Sequence, residues 1–427
     1  MEYLRPLTLR TIKQTAIATS LTAVFFSTSV LSADLVFLDK TTLEQNRTLL
    51  HSEQASPSMQ SAYQRLIEEA DLAMKDGPFS VTDKGMTPPS GNKHDYMSIS
   101  PYWWPDTSKE GGLPWVRHDG KTNPASKTAE TDSKRIGHFT RSVRALALAY
   151  YFSQDEKYAQ QGIDYIRTWF VDQDTKMNPN VNFGQGVPGV AEGRRGGIID
   201  TRSLADRMLD AIALLSLSPA WADQDETQIT QWYSEYLDWL IVDDLSGGPK
   251  GEAASANNHG TWYDYQVASI AYFLGNEPLA KKMVQKGKMR IDTQFEKDGS
   301  QPHEIERTRA YHYHYFSLDP LVGIAQIGDK VGVDLWHHTN PKGGSLASGI
   351  QLMANYHDPA VTWPYTQKDK RRRVERMTPL YLKAGVALDR SDWIKLATNT
   401  DFSQMTVKKN LAEVWAQRDI ELLYPRK

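Results

Sequence analysis

Apolar residues along this chain recur mainly at helical spacing. Met59, Tyr63, Leu66, Ile67, Ala70 and Met74 fall three or four apart and mark one face of a helix that Gly77 and Pro78 end. Ile136, Phe139, Val143, Leu146, Ala147 and Tyr150 predict a second helix, and Tyr158, Ile163, Ile166, Trp169 and Phe170 a third. Leu204, Met208, Ala211, Ile212 and Leu215 predict a fourth; Ile229, Trp232, Tyr236, Trp239 and Leu240 a fifth. More helices are expected near 262–274, 277–296 and 309–327, with shorter ones towards the C-terminus. Paired antiparallel helices joined alternately by short and long connections suggest an all-α dominated α/α toroid with its long loops gathered at one mouth. No shift of composition marks a second domain, so 34–427 reads as one unit, with a small C-terminal sheet left open.

Two stretches depart from this pattern. Residues 76–131 hold no sustained period and are rich in Gly, Pro, Ser and Asn, and a loop that long inside a compact domain is usually functional or disordered. Its centre, HDYMSISPYWWPD, sets Tyr102, Trp103 and Trp104 between Pro101 and Pro105, a stiff setting for a wall of aromatic rings along a binding cleft. The other stretch is Ser255–Gln266, SANNHGTWYDYQ, read as a loop leading into a helix. Asn257 and Asn258 supply amides, His259 a possible base, and Trp262, Tyr263 and Tyr265 flat surfaces, a combination suited to a charged sugar.

The N-terminus changes where the chain is expected to work. Arg5, Arg10 and Lys13 precede an uncharged run from Ala16 to Val30, and Val30 to Ala33 offer a small-residue cleavage site, so residues 1–33 read as a secretory signal peptide. Nothing later is apolar enough to span a bilayer, and the expected location is periplasmic or secreted. Removing that leader takes three basic residues and one acidic one, and the formal charge of −3 becomes −5. A mildly acidic chain without a Gly-rich phosphate loop argues against a nucleic-acid partner. The sequence has no Cys, which excludes thiolate catalysis and cysteine-built zinc sites; a chain this long needs no disulfides to hold a core.

A third stretch, QPHEIERTRAYHYHYFSLDPL from Gln301, carries further chemistry. On a helix Tyr311, Tyr315, Leu318, Val322 and Ala325 form a core stripe, while Tyr313 points about 200° away from Tyr311. Arg309 lies one turn before Tyr313 on the same face. Arg307 reaches Tyr313 only if it precedes the helix in a non-helical segment. A tyrosine beside a fixed guanidinium is a plausible proton-transfer group, because positive charge stabilises phenolate; an ordinary interfacial tyrosine is the alternative. Taken together, the stretches supply what β-elimination from a 4-linked uronate requires. Donors such as Asn258 and an arginine must neutralise the carboxylate next to C5, a base must take the C5 proton, and an acid must protonate O4. His259 and Tyr313 are the candidates for the last two tasks, and one tyrosine serves both where C5–H and O4 share a side of the ring.

ANNHGTW followed by R-T-R-x-x-x-Y resembles the alginate lyase superfamily, which includes polysaccharide lyase families five and thirty-eight. YMSISPYWWPD, GLPWVRHDGKTNP and GIIDTRSL look closer to the second. The resemblance covers most of the chain after the leader. It implies an α/α toroid, elimination on alginate or glucuronan, and no obligatory cofactor. Asn258 then looks like the carboxylate neutraliser, His259 the base or its assistant, Tyr313 the acid and possibly the base, and Arg307 their support; the arginine-to-tyrosine spacing departs from family five and leaves Arg307 and Arg309 in competition. Tyr102, Trp103, Trp104, Trp262 and Arg309 are expected at the substrate, as are His138, Arg141 and Arg202, for which structural ion pairs are the alternative. The basic run from Lys370 to Arg373 reads as a solvated loop. His312 with His314, or His337 with His338, lacks the spacing of a defined zinc motif, and no metal is expected. Two other functions stay in view: a glycoside hydrolase using Glu304 and Glu306, and a non-catalytic polysaccharide-binding protein.

Overall fold

The computed structural model describes residues 35–369, 371–400 and 418–425. The expected leader and Lys370 of the basic run lie outside them. Among the described residues no helix is long and apolar enough to cross a membrane.

Two early helices, α1 (Lys40–Leu50) and α2 (Pro57–Ala73), lead to the pair α3 (Ser133–Ser153) and α4 (Glu156–Phe170). After a long connection come α5 (Arg202–Asp206), α6 (Met208–Leu215) and α7 (Asp223–Val242), then α8 (Asn258–Phe273) and α9 (Glu277–Gln294). A short α10 (Pro302–Ile305) precedes α11 (Ala310–Val331), which is followed by α12 (Leu346–Asn355), α13 (Thr378–Ala387) and α14 (Ser391–Thr398). Helices α3, α5 with α6, α8, α11 and α13 pack one on the next as an inner ring, while α4, α7, α9, α12 and α14 pack outside it. This is the α/α toroid that the periodicity predicted.

Burial follows from which ring a helix joins. Almost every residue of α8 is buried, as expected of an inner helix contacted on all sides. Helix α9 buries only a stripe at Ala280, Met283, Val284, Gly287, Arg290, Ile291 and Gln294, the signature of an outer helix. Two polar side chains inside α8 are held from other elements: Asp264 meets Arg290 at 2.6 Å and Lys286 at 2.8 Å, and Gln266 donates to the Ile198 carbonyl at 3.0 Å. Both described ends of the chain complete the ring. Asp210 of α6 accepts the backbone N–H groups of Val36, Phe37 and Leu38. Residues 418–425 bridge α13 to α3, with Asp419 paired to Arg144 at 3.0 Å and Lys383 beside Asp419 and Tyr424.

The structure differs from the sequence reading at three points. The helix expected across 204–215 is two helices that meet at Arg207, whose φ of −111° interrupts the turn. No Gly or Pro marks the break, so the apolar period runs through it. Helix α8 starts at Asn258 rather than near 262, because Asn257 caps it by accepting the His259 N–H at 3.1 Å. Its first turn is polar and carries no apolar period. In place of a C-terminal sheet there are, among the described residues, isolated bridges at Arg309–Gln367 and Thr339–Ser345.

The irregular segments make contact with one another. Strand β1 (Met97–Ile99) pairs in parallel with β4 (Phe183–Gly186), and β2 (Trp103–Trp104) pairs antiparallel with β3 (Val116–Arg117). Lys84 and Asp132, both without exposed side-chain surface, pair at 3.0 Å; Asp132 also accepts the Met97 N–H at 2.9 Å and meets Arg135 at 2.7 Å. One carboxylate thus ties the 81–97 loop to the start of α3 and sets where β1 begins. Removing one member of a buried ion pair leaves the other charge uncompensated, so Asp132→Ala is expected to lower unfolding free energy by about 3–5 kcal/mol. Lys342→Ala, which breaks the exposed pair with Glu296, is expected to change it by no more than about 1 kcal/mol. Urea titration of both variants against the parent checks the contrast.

Candidate active site

Asn258 and His259 stand on the first turn of α8, where unsatisfied N–H groups and the helix dipole favour an anion. The Asn258 backbone N–H donates to one Glu304 oxygen at 2.7 Å and its side-chain amide to the other at 2.8 Å. Glu304 belongs to α10 and is 1% exposed, so the clamp is rigid. Burial raises the Glu304 carboxyl, against the two N–H groups of Asn258 and the nearby charge of Arg307. With one amide hydrogen held by Glu304, the second remains available to a substrate.

Next to it, His259 Nδ1 lies 3.0 Å from a Glu252 oxygen. Glu252 sits on the short 3-10 turn Glu252–Ala254 and is nearly buried. With Nδ1 donating to this carboxylate, Nε2 carries the free lone pair. Gly196 runs close by, its Cβ position 3.7 Å from the His259 ring and 3.4 Å from Glu252.

Arg307 lies in the bend between α10 and α11. Its guanidinium stands 3.8 Å from the centroid of the Tyr313 ring, stacked on the face. Asp119 holds it there at 2.7 Å and also accepts the Thr308 hydroxyl at 3.0 Å. Burial opposes ionisation of Asp119, but the Arg307 hydrogen bond and charge bring its carboxyl down to about 2. Gly120 makes this approach possible: its φ is +69°, and a Cβ there would lie 2.6 Å from the Thr308 hydroxyl. Tyr313 is 6% exposed and donates its O–H to the Tyr102 hydroxyl at 3.0 Å. Burial, then Tyr102, raises its pKa, while Arg307 pulls the other way. The phenol is therefore held protonated at neutral pH.

The structure links Asn258, His259, Arg307, Tyr313 and Tyr102 through Glu304 and the stacked Arg307, and the other sequence candidates contact further partners. Arg309 pairs with Asp369 at 2.8 Å and interacts with Tyr102 instead of stacking on Tyr313. Trp103 and Trp104 form β2; the Trp104 N–H donates to the Lys121 carbonyl at 2.9 Å, and Lys121 lies over its ring at 4.6 Å. Trp262 is only 2% exposed and packs against Tyr265 and Phe316. Arg202 lies over Trp262 and Phe316 inside the ring. His138 and Arg141, on α3, have Lys134, Asp76, Glu69 and Arg207 as charged neighbours. Of the paired acids considered for hydrolysis, Glu304 is buried in the Asn258 clamp and Glu306 is exposed. Sequence reasoning missed the supporting acids. Glu252 is seven residues from its histidine and carries no signal of its own; Asp119 lies 188 residues from its arginine, inside the GLPWVRHDGKTNP segment, which marks the resemblance and gives no role to the acid.

Comparison with known proteins places the fold and the family. The alginate lyase family profile matches residues 80–363. The crystal structure of an alginate lyase from Bacteroides ovatus is 33% identical and superposes with a TM-score of 0.81 over 90% of this chain and 99% of that one. Alginate lyase A1-III from Sphingomonas species A1 shares the fold at 15% identity, with a TM-score of 0.56 over 87% of this chain and 92% of that one. Curated alginate lyases of Pseudomonas syringae pv. tomato and Cobetia marina are 34% and 31% identical, over 32% and 33% of this chain and 35% and 36% of their own lengths. The match to these curated relatives thus spans only about a third of their length. On the family profile and the full-length likeness to the Bacteroides ovatus structure, the chain belongs to the alginate lyase family.

Proposed function

We propose that this protein is a polysaccharide lyase that cleaves a β-1,4-linked uronate polymer, with alginate preferred over glucuronan, by β-elimination. The observation that carries the reading is the convergence of Asn258, His259, Arg307 and Tyr313, each held by a partner from another part of the chain. Family membership supports alginate as the polymer. Asn258 and Arg307 neutralise the carboxylate on C5 and stabilise the enolate-like transition state. His259 takes the C5 proton at Nε2, and the buried phenol of Tyr313 gives its proton to the departing O4. The electron pair of the C5–H bond becomes the C4–C5 double bond. Tyr313 regains its proton through Tyr102, whose hydroxyl is the link between the buried phenol and the cleft. A hydrolase reading has less support, since Glu304 is occupied and Glu306 stands apart from it.

Ultraviolet absorbance of the conjugated double bond tests the reaction on polymannuronate, polyguluronate and glucuronan. A rise is expected on an alginate polymer, with His259→Ala and Tyr313→Phe each reducing kcat by about 10²–10⁴-fold. Reducing ends without absorbance would establish hydrolysis instead. Glu252→Gln keeps a hydrogen-bond acceptor but removes the negative charge beside the imidazole. It is expected to lower kcat by about tenfold or more, within the range typical of second-layer partners, and to move the acid limb of kcat/KM to lower pH; an unchanged profile counts against His259 as the base.

Asp119 yields a prediction for pH. Its folded pKa is depressed, so its stabilisation is complete above the unfolded carboxyl value of about 3.9 and is lost as pH falls through about 2. The stability gap between the parent and Asp119→Asn, on the order of 1 kcal/mol at pH 6 after solvent screening, should therefore close between pH 4 and pH 2 as read by urea unfolding.

A further inference from the structure

A cavity of about 290 Å³ lies inside the ring, with charges of both signs on its walls. The acids there are answered within the protein. Asp419 pairs with Arg144 and Arg418, each at 3.0 Å, and Asp210 takes the three backbone amides of the N-terminal segment. Asp206 accepts the Tyr265 hydroxyl at 3.3 Å and lies 3.6 Å from Arg207; Asp319 accepts the Tyr315 hydroxyl at 3.4 Å. Lys383 stands among Asp319, Asp206 and Asp419.

Two guanidinium groups make no direct ion pair among the described residues, although Asp200, Asp206 and Asp319 lie near enough to Arg202 to act on its charge. Among the described residues Arg202 makes no ion pair; it donates to the Ile199 carbonyl and lies over the rings of Trp262 at 5.6 Å and Phe316 at 5.3 Å. Arg376 likewise has no ion pair, and its Nε–H is buried without an acceptor. Both flank His312, which stacks on Phe316 with ring centroids 5.6 Å apart. Burial, with Arg309, Arg376 and Arg202 around it, holds the His312 imidazole down to about 3, so it is neutral and can both donate and accept. Buried cations are ordinarily paired, and two at one end of a cavity whose acids are already engaged leave positive charge for a ligand to meet. The rings fix Arg202 in advance, so little side-chain freedom is lost on binding.

The place of this cluster sets what would bind. Trp262 is one helical turn from His259 on α8, and His312 adjoins Tyr313 on α11, with ring centroids 5.3 Å apart. A polymer engaged at His259 and Tyr313 that continues inward therefore meets Arg202 first. We propose that Arg202, Arg376 and His312 form a second carboxylate-binding station inside the ring, which holds the uronate sugar next to the one undergoing elimination. The station rests on the reading of the substrate as a uronate polymer. The guanidinium groups take the carboxylate and the imidazole takes a neighbouring hydroxyl. The paired acids beyond them limit how far a polyanion advances.

Calorimetric titration of Tyr313→Phe, which leaves the ligand intact, with tetramannuronate and with the neutral analogue mannotetraose tests the station. Tetramannuronate should bind and mannotetraose should bind much more weakly. Adding Arg202→Gln or Arg376→Gln should weaken tetramannuronate by about 10- to 100-fold, the range for a hydrogen bond to a charged group, and flatten the salt dependence. Arg202→Lys should retain part of the affinity, and melting curves confirm folding; if Arg202→Gln fails to fold, Arg376→Gln and Arg202→Lys decide. Unchanged affinity and salt slope in the folded variants would overturn the station while leaving the lyase reading intact, provided the parent enzyme still generates the double bond. A parent that neither eliminates nor binds tetramannuronate would overturn both.

Discussion

The clamp between Glu304 and Asn258 is the contact on which the candidate site depends. A buried carboxylate with two N–H donors at 2.7 and 2.8 Å joins the first turn of α8 to the turn before α11. That turn carries Arg307, and α11 carries Tyr313, so the clamp sets the spacing between the Asn258 amide and the Tyr313 phenol. Burying Glu304 raises the cost of its charge, and Asn258 with the neighbouring Arg307 offsets that cost. Stability and site geometry are here the same interaction.

Around this clamp the toroid acts as a frame. The inner helices supply rigid positions for His259 and Tyr313, while irregular segments that contact those helices supply the partners. Asp119 comes from the loop after β3, Glu252 from the turn before α8, and Tyr102 from the segment between β1 and β2. Lys84 and Asp132 keep that last segment in place from below. Functional side chains on helices with supports on loops give precise geometry to groups that must not move and leave the loops free to differ.

Much of the architecture was legible in the sequence because apolar period reports burial directly. The same logic explains what was not. Asn258 and His259 lie on a helix whose first turn faces a polar site, so it offered no apolar pattern, and only the Asn257 cap marks its start. Helical geometry points to Arg309, four residues before Tyr313, whereas Arg307 stacks on the ring because the segment before α11 bends instead of continuing the helix. The roles of Glu252 and Asp119 were not legible, since an acid's role here depends on a fold that brings it to a distant partner. Trp262 differs from expectation for a related reason: its place next to the motif suggests a surface for sugar, yet its ring belongs to the packing between α8 and α11.

Closure of the ring by residues 418–425 has a consequence for how the chain reaches this state. Asp419 meets Arg144 across 275 positions, Arg418 meets Glu69 across 349, and Asn46 donates to the Leu422 carbonyl across 376. Contacts of such sequence separation incur loop-closure entropy before they return any energy, and chains rich in them fold slowly. The early helices α1 to α3 therefore cannot complete their packing while the last residues are still being synthesised, and the toroid is a structure that closes late and as a whole.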